Sequence, residues 1–118
     1  MPQLNSHQLV IPGGQFVSDA LDLGTEFVVG LIMPNDWTPA SVSILVSTDG
    51  VDFYDLHEYN GAEVLFNVEP RAAVNIDPNR LMMARFIKLR SGLKHAPVVQ
   101  ENDRPFKIIG TMQLARDA

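Results

Sequence analysis

Three histidines, three closely spaced aspartates, a scatter of serines and one tryptophan are the residues of this 118-residue chain with chemistry to offer. His7, His57 and His95 stand far apart, with neither HxH nor HxxxH spacing, so a surface or packing role is the plainer reading for each. Asp49, Asp52 and Asp55 recur every three residues around one turn. Carboxylates so placed could hold calcium, a hard cation that takes oxygen ligands. Their spacing is not that of an EF-hand loop, and turn aspartates ordinarily bond their own backbone. No cofactor or metal is therefore expected, with calcium at these three as the alternative. Nucleophilic catalysis needs a serine, a base and an orienting carboxylate, and no GxSxG elbow is present. The absence of cysteine removes thiol catalysis, thiolate metal sites and disulfides together. Nothing selects a carboxylate pair for glycoside hydrolysis, and Pro12-Gly13-Gly14 is not followed by the lysine of a phosphate loop. The chain reads as a protein that binds and does not catalyse.

Two binding chemistries remain. Trp37, Tyr54 and Tyr59 could form an aromatic platform for a sugar; alternatively Trp37 plugs one end of a sandwich while the tyrosines pack across strands. Arg85, Lys88, Arg90, Lys94 and Arg104, interleaved with Phe86 and Phe106, form a basic stretch. It belongs to a wider asymmetry. Before Arg71 there are ten acids and no lysine or arginine, whereas from Arg71 onward nine basic residues face four acids, for formal charges of −10 and +5. The net charge of −5 argues against nucleic acid, whose affinity rests on phosphate contact, and favours an acidic protein partner. The competing expectation is that strands of both halves interleave and mix the charges.

The elements that must position these residues read as strands. From Ala40 to Leu56, Val42, Ile44 and Val46 alternate with serines, Thr48-Asp49-Gly50 supplies a turn, and Val51, Phe53 and Tyr54 resume. That is a hairpin, with Gly50 at a positive φ. Around it the spacing predicts a strand within Leu4–Pro12, a second from Gln15 to Leu23, and a third over Phe27–Met33, apolar throughout as if buried on both faces. Asn60-Gly61 predicts a tight turn joining 53–59 to 63–68, so that three strands run as a meander. Asp77-Pro78 predicts one short helical turn over Pro78–Met83. Ala84–Arg90 predicts a strand with Ile87 and Leu89 inward, Ser91–Arg104 a long connection, and Pro105–Leu114 the last strand. The fold class is all-β: an antiparallel β-sandwich of jelly-roll, galactose-binding-like type, with one short helical turn near 78–83. The expected organisation is a single domain, 1–118, with a loose N-terminal end over 1–5 and a C-terminal tail over 115–118. No signal peptide or stretch of roughly 20 apolar residues is present, so no membrane is expected and synthesis in the cytoplasm without export is.

Ser47, Asp49, Gly50 and Phe53 (SxDGxxF), with Ala84–Gly92 (ARFIKLRSG), resemble discoidin-like jelly rolls. A longer span, from about Gly30 to Arg104, is similar to small virion proteins of tailed bacteriophages; it carries GLIMPNDWTPASVSILVSTDGVDFYDL, RFIKLRSG and the Pro97–Gln100 segment. That resemblance implies a head decoration (cement) protein on the outer capsid surface, made in the host cytoplasm. Its partners would be the major capsid protein and neighbouring copies of itself, as a homotrimer, with no nucleic acid and no membrane. Alternatives are a carbohydrate-binding module or a tail or fibre component for host attachment. Arg90, Lys94 and Arg104 would be the basic interface contacts and Trp37 an apolar anchor.

Overall fold

The computed structural model describes residues 3–112. Its strands are β1 (Leu4–Ile11), β2 (Leu21–Asp22), β3 (Phe27–Ile32), β4 (Val42–Ser47), β5 (Tyr54–Asp55), β6 (Leu65–Phe66), β7 (Ala73–Asn75), β8 (Phe86–Leu93), β9 (Ala96–Pro97) and β10 (Arg104–Thr111). One 3-10 turn, Pro78–Leu81, sits where Asp77-Pro78 predicts it; the Asp77 carboxylate accepts from Asn79 N at 3.0 Å. Two antiparallel sheets form the sandwich. One runs β1-β10-β3-β7; the other runs β2-β8-β4, with β5 and β6 both on the far edge of β4 and β9 on β8.

Alternation explains the core. Leu9, Ile11, Val28, Leu31, Phe106 and Ile108 of the first sheet face Val42, Ile44, Val46, Ile87 and Leu89 of the second, all buried. Trp37 closes one end, its ring edge-on to Phe106 at 5.4 Å and 81°, with Nε1 donating to Ala40 O. The β4–β5 hairpin forms as read, and Gly50 has φ +78°.

Several expectations change. Gln15–Leu23 yields only the short β2, because Ser18 replaces a ladder with a side-chain bond: its Oγ accepts from Leu89 N at 2.9 Å while its own N–H donates to Leu89 O. β3 is buried on one face, with Ile32 at the surface. Pairing of Ile109 with Gly30 but Gly110 with Val28 leaves Val29 as a bulge, which breaks the strict alternation. The Asn60-Gly61 turn forms as read, with Glu58 N donating to Ala62 O at 2.7 Å and Val64 N to Leu56 O at 3.0 Å, but the meander becomes an interrupted edge. β5 and β6 both follow β4, at Leu45–Val46 and Val42–Ser43, and residues 57–63 bud outward between them around Asn60-Gly61. The long connection after Ser91 is largely ordered: β8 continues to Leu93 and turns at Lys94-His95 into β9. Leu4 and Asn5, expected loose, pair with Thr111 and Gly110. The last strand ends at Thr111; Leu114 and the 115–118 tail lie outside the described residues, as do residues 1–2 of the N-terminal end.

The interleaving expectation for charge holds. Basic β8 lies between β2 and β4, and the arginines in and just before it meet acids of the first half: Arg85 bonds Asp22 at 2.7 Å, and Arg90 bonds Asp55 and Glu63. Charge segregated along the chain is mixed in space.

Candidate functional site

The strand order decides which charged side chains reach solvent. Arg90 leaves β8 on the outer face of its sheet, where a long polar side chain would ordinarily be wet. There the outbudding 57–63 segment closes over it, leaving the residue 7% exposed. Its Nε donates to Ser43 Oγ at 2.9 Å, one terminal nitrogen to Asp55 Oδ1 at 2.7 Å, and the other to Glu63 Oε2 at 3.0 Å. Glu63 Oε2 also accepts from Lys94 N at 2.9 Å, so one arginine and one carboxylate tie β4, β5, β8 and the β8–β9 turn together. A planar fork with five donors suits this task, and lysine would not.

Arg104 is likewise 7% exposed, and its Nε donates to Gln100 Oε1 at 2.9 Å. Gln100, fully buried, is the hub of the segment after β9. Its Oε1 also accepts from Thr38 N, and its Nε2 donates to Thr38 O and Ser91 Oγ. Buried amides at such density are stable only when all their bonds are made. Arg90, Arg104 and the buried Trp37 are therefore parts of the scaffold, and the expectation that they form an exposed contact surface is corrected. The sequence alone marks Gln100 only as part of the Pro97–Gln100 segment and not as a buried hub; its neighbours Val99 and Glu101 are both exposed.

Lys94 alone of the four expected contacts keeps its charged end outside. Its ammonium donates to His57 Nε2 at 2.8 Å, while His57 Nδ1 lies 3.1 Å from Asp55 O. The rest of the basic stretch is also occupied: Arg85 lies over the Phe86 ring at 5.4 Å and Lys88 over Phe53 at 4.4 Å.

The three aspartates do not converge. Asp49 Oδ1 accepts from Val51 N, Asp52 N and Ser47 Oγ at 2.9–3.0 Å, a turn-closing arrangement. The bond from Val51 N, followed by those from Asp52 N and Ser47, holds its carboxyl below the usual range. Asp55 turns to Arg90, and no cluster of three possible metal-ligating side chains occurs among the described residues. The sugar platform is not assembled either. Trp37 is in the core, leaving Tyr54 and Tyr59 on the surface without it.

What the fold exposes instead is a groove of about 550 Å³ between the outbudding loop and the 3-10 turn, lined by Leu56, Tyr59, Arg80, Met82 and Met83 among others. Tyr59 stands wholly in solvent beside the Asn60-Gly61 turn, and Met82 and Met83 are 52% and 62% exposed. Arg80 stacks over Phe66 at 5.8 Å and pairs with Glu58 at 3.5 Å across the rim. Tyrosine, methionine and arginine are the types enriched at protein contacts, because they offer large apolar area with a polar end or a pliable shape. Met82 and Met83 escaped the sequence reading. Their signal is two adjacent apolar residues after a helical turn that belong to no strand alternation. Comparison with protein-family models, with curated proteins and with solved structures found no match to this chain.

Proposed function

We propose that this domain is a structural binding module that docks on a larger protein assembly, as a head decoration protein does on the outer surface of a phage capsid. The observation that carries the docking reading is the exposed trio Tyr59, Met82 and Met83 on one groove. Large apolar side chains gathered at one place on a surface mark an interaction site far better than single ones do. The virion assignment rests on the sequence resemblance over 30–104, and it supplies the partner: the assembled coat-protein lattice. Mechanistically the sandwich acts as a rigid block. Arg90 ties the outer face of one sheet to the 57–63 segment and Gln100 ties the segment after β9, so the groove is presented with little ordering to be done on binding. Many copies on a lattice then add modest contacts into firm attachment.

Co-sedimentation with separately purified heads and tails tests this. Binding to heads should be saturable, and Tyr59→Ala combined with Met83→Ser should weaken it by roughly 30-fold or more, the effect of losing one aromatic anchor of about 2 kcal/mol. The residues are exposed, so the double variant should melt within a few degrees of the parent. Unchanged head binding by a folded double variant would refute the groove as the docking surface. Binding to tails alone would refute the head assignment.

A further inference from the structure

The two sheets end in edges of very different character. β7 is three residues long, β2 is two, and the far side of β4 is covered by the interrupted β5 and β6. β1 is eight residues long and pairs along its whole length with β10, from Leu4 opposite Thr111 to Ile11 opposite Arg104, without a shift. No strand lies on its other side among the described residues. Long edges are usually blunted by proline, lysine, inward charges or a bulge, since their unpaired N–H and C=O groups template another strand. β1, LNSHQLVI, has no proline, glycine, lysine, arginine, aspartate or glutamate.

We infer that this edge is a self-association surface, where two copies pair β1 to β1, antiparallel about a two-fold axis, into one continuous eight-stranded sheet. Three observations favour a second copy as the occupant. The chain carries a net charge of −5, yet this strand has no ionised acid or base of its own apart from any proton on His7, so two copies meet here without strand-to-strand repulsion. The pattern is also self-complementary. Leu4, Ser6 and Gln8 are exposed, whereas Leu9 and Ile11 are buried and Asn5 and His7 half-buried, so even-numbered residues face outward. Two copies keep both cores on one side of the joined sheet only when residues of like parity face each other. Centring on His7 sets Ser6 against the partner's Gln8 and covers Leu4, 63% exposed, with the partner's Val10. Finally, head-to-tail pairing of β1 on β7 would match eight residues with three, which disfavours open filaments and leaves the closed two-fold arrangement. The inference does not depend on what the groove near Tyr59 binds.

Sedimentation velocity on the full chain, between roughly 1 and 200 µM, tests it in the range where a modest interface populates a dimer. The parent should shift from monomer to twice the mass with rising concentration. Ser6→Lys with Gln8→Lys places like charges opposite one another across the axis and should abolish that shift. Ser6→Lys with Gln8→Glu sets lysine against glutamate on both sides and should restore it. A parent monomeric throughout overturns the inference and leaves the edge to a strand of another protein. So does a dimer indifferent to the double lysine variant, or a lysine–glutamate variant as monomeric as the double lysine one.

Discussion

Replacing Arg90 by alanine tests whether a charge read from sequence as a contact is instead a structural tie. The substitution removes three hydrogen bonds, to Ser43, Asp55 and Glu63. What it leaves behind matters more. The Asp55 side chain is 36% exposed and can rehydrate, so its loss costs little. The Glu63 side chain is 14% exposed and loses its countercharge, and Ser43, fully buried, loses a donor. Breaking a fully buried pair costs about 3–5 kcal/mol. Partial hydration of the two acids lowers that to about 2–4 kcal/mol, a large share of the 5–15 kcal/mol that holds a typical domain together. With an unfolding entropy of about 2.1 cal/mol/K per residue, 118 residues give about 0.25 kcal/mol/K, so Tm should fall by roughly 8–16 °C. Differential scanning calorimetry reads this directly. Arg90→Lys should recover less than half of the loss, because an ammonium cannot reach all three partners. A cycle with Glu63→Ala should show coupling of about 1–3 kcal/mol between the two positions. A Tm for Arg90→Ala within about 3 °C of the parent would refute the argument and return Arg90 to the surface.

The turns and one carboxylate supply further tests. Gly92→Ala should prevent folding near 37 °C, since φ is +94° and a Cβ there would lie 2.5 Å from Ala96 O; solubility and circular dichroism on expression decide it. Gly50→Val, at φ +78° and with its Cβ 3.1 Å from the Phe86 ring, should lower stability by about 1–3 kcal/mol in urea unfolding, and an unchanged midpoint would contradict the turn. Glu26 receives Asn5 Nδ2 at 2.9 Å and lies 2.8 Å from His7 Nε2, and the Asn5 bond is the main cause holding its carboxyl below the usual 4.5. A carboxyl depressed in the folded state stabilises above its unfolded value and loses that contribution as pH falls through the folded one. The Tm gap between the parent and Glu26→Gln should therefore be widest near neutral pH and close as pH drops below about 4.5. A gap that widens in acid would reverse the assignment.

Local patterns carried the fold class well. Alternation in Val42–Ser47 and Phe86–Leu89, the Asp49-Gly50 turn and the Asp77-Pro78 cap all express backbone and burial preferences that act over a few residues. Those preferences are present in the chain before any tertiary contact exists. They failed where distant chain supplied the partner. Ser18 is a strand residue by type but bonds Leu89, 71 positions away, and β5 and β6 look like successive strands but share one neighbour.

The candidate site was legible in residue type and illegible in exposure. Arg90, Arg104 and Trp37 carry the chemistry of contacts, and nothing along the chain tells a wet arginine from one covered by a loop 27 residues earlier. The sequence by itself determined an all-strand sandwich without cysteine, a centre at the Val42–Asp55 hairpin, and which side chains alternate inward. Strand order decided the rest. By placing β8 between β2 and β4 it set Arg85 and Arg90 against acids of the first half, and by putting β1 at the end of its sheet it left the longest uncharged strand without a second neighbour among the described residues. Burial and free edges are properties of neighbours in space, which only the assembled sheets specify.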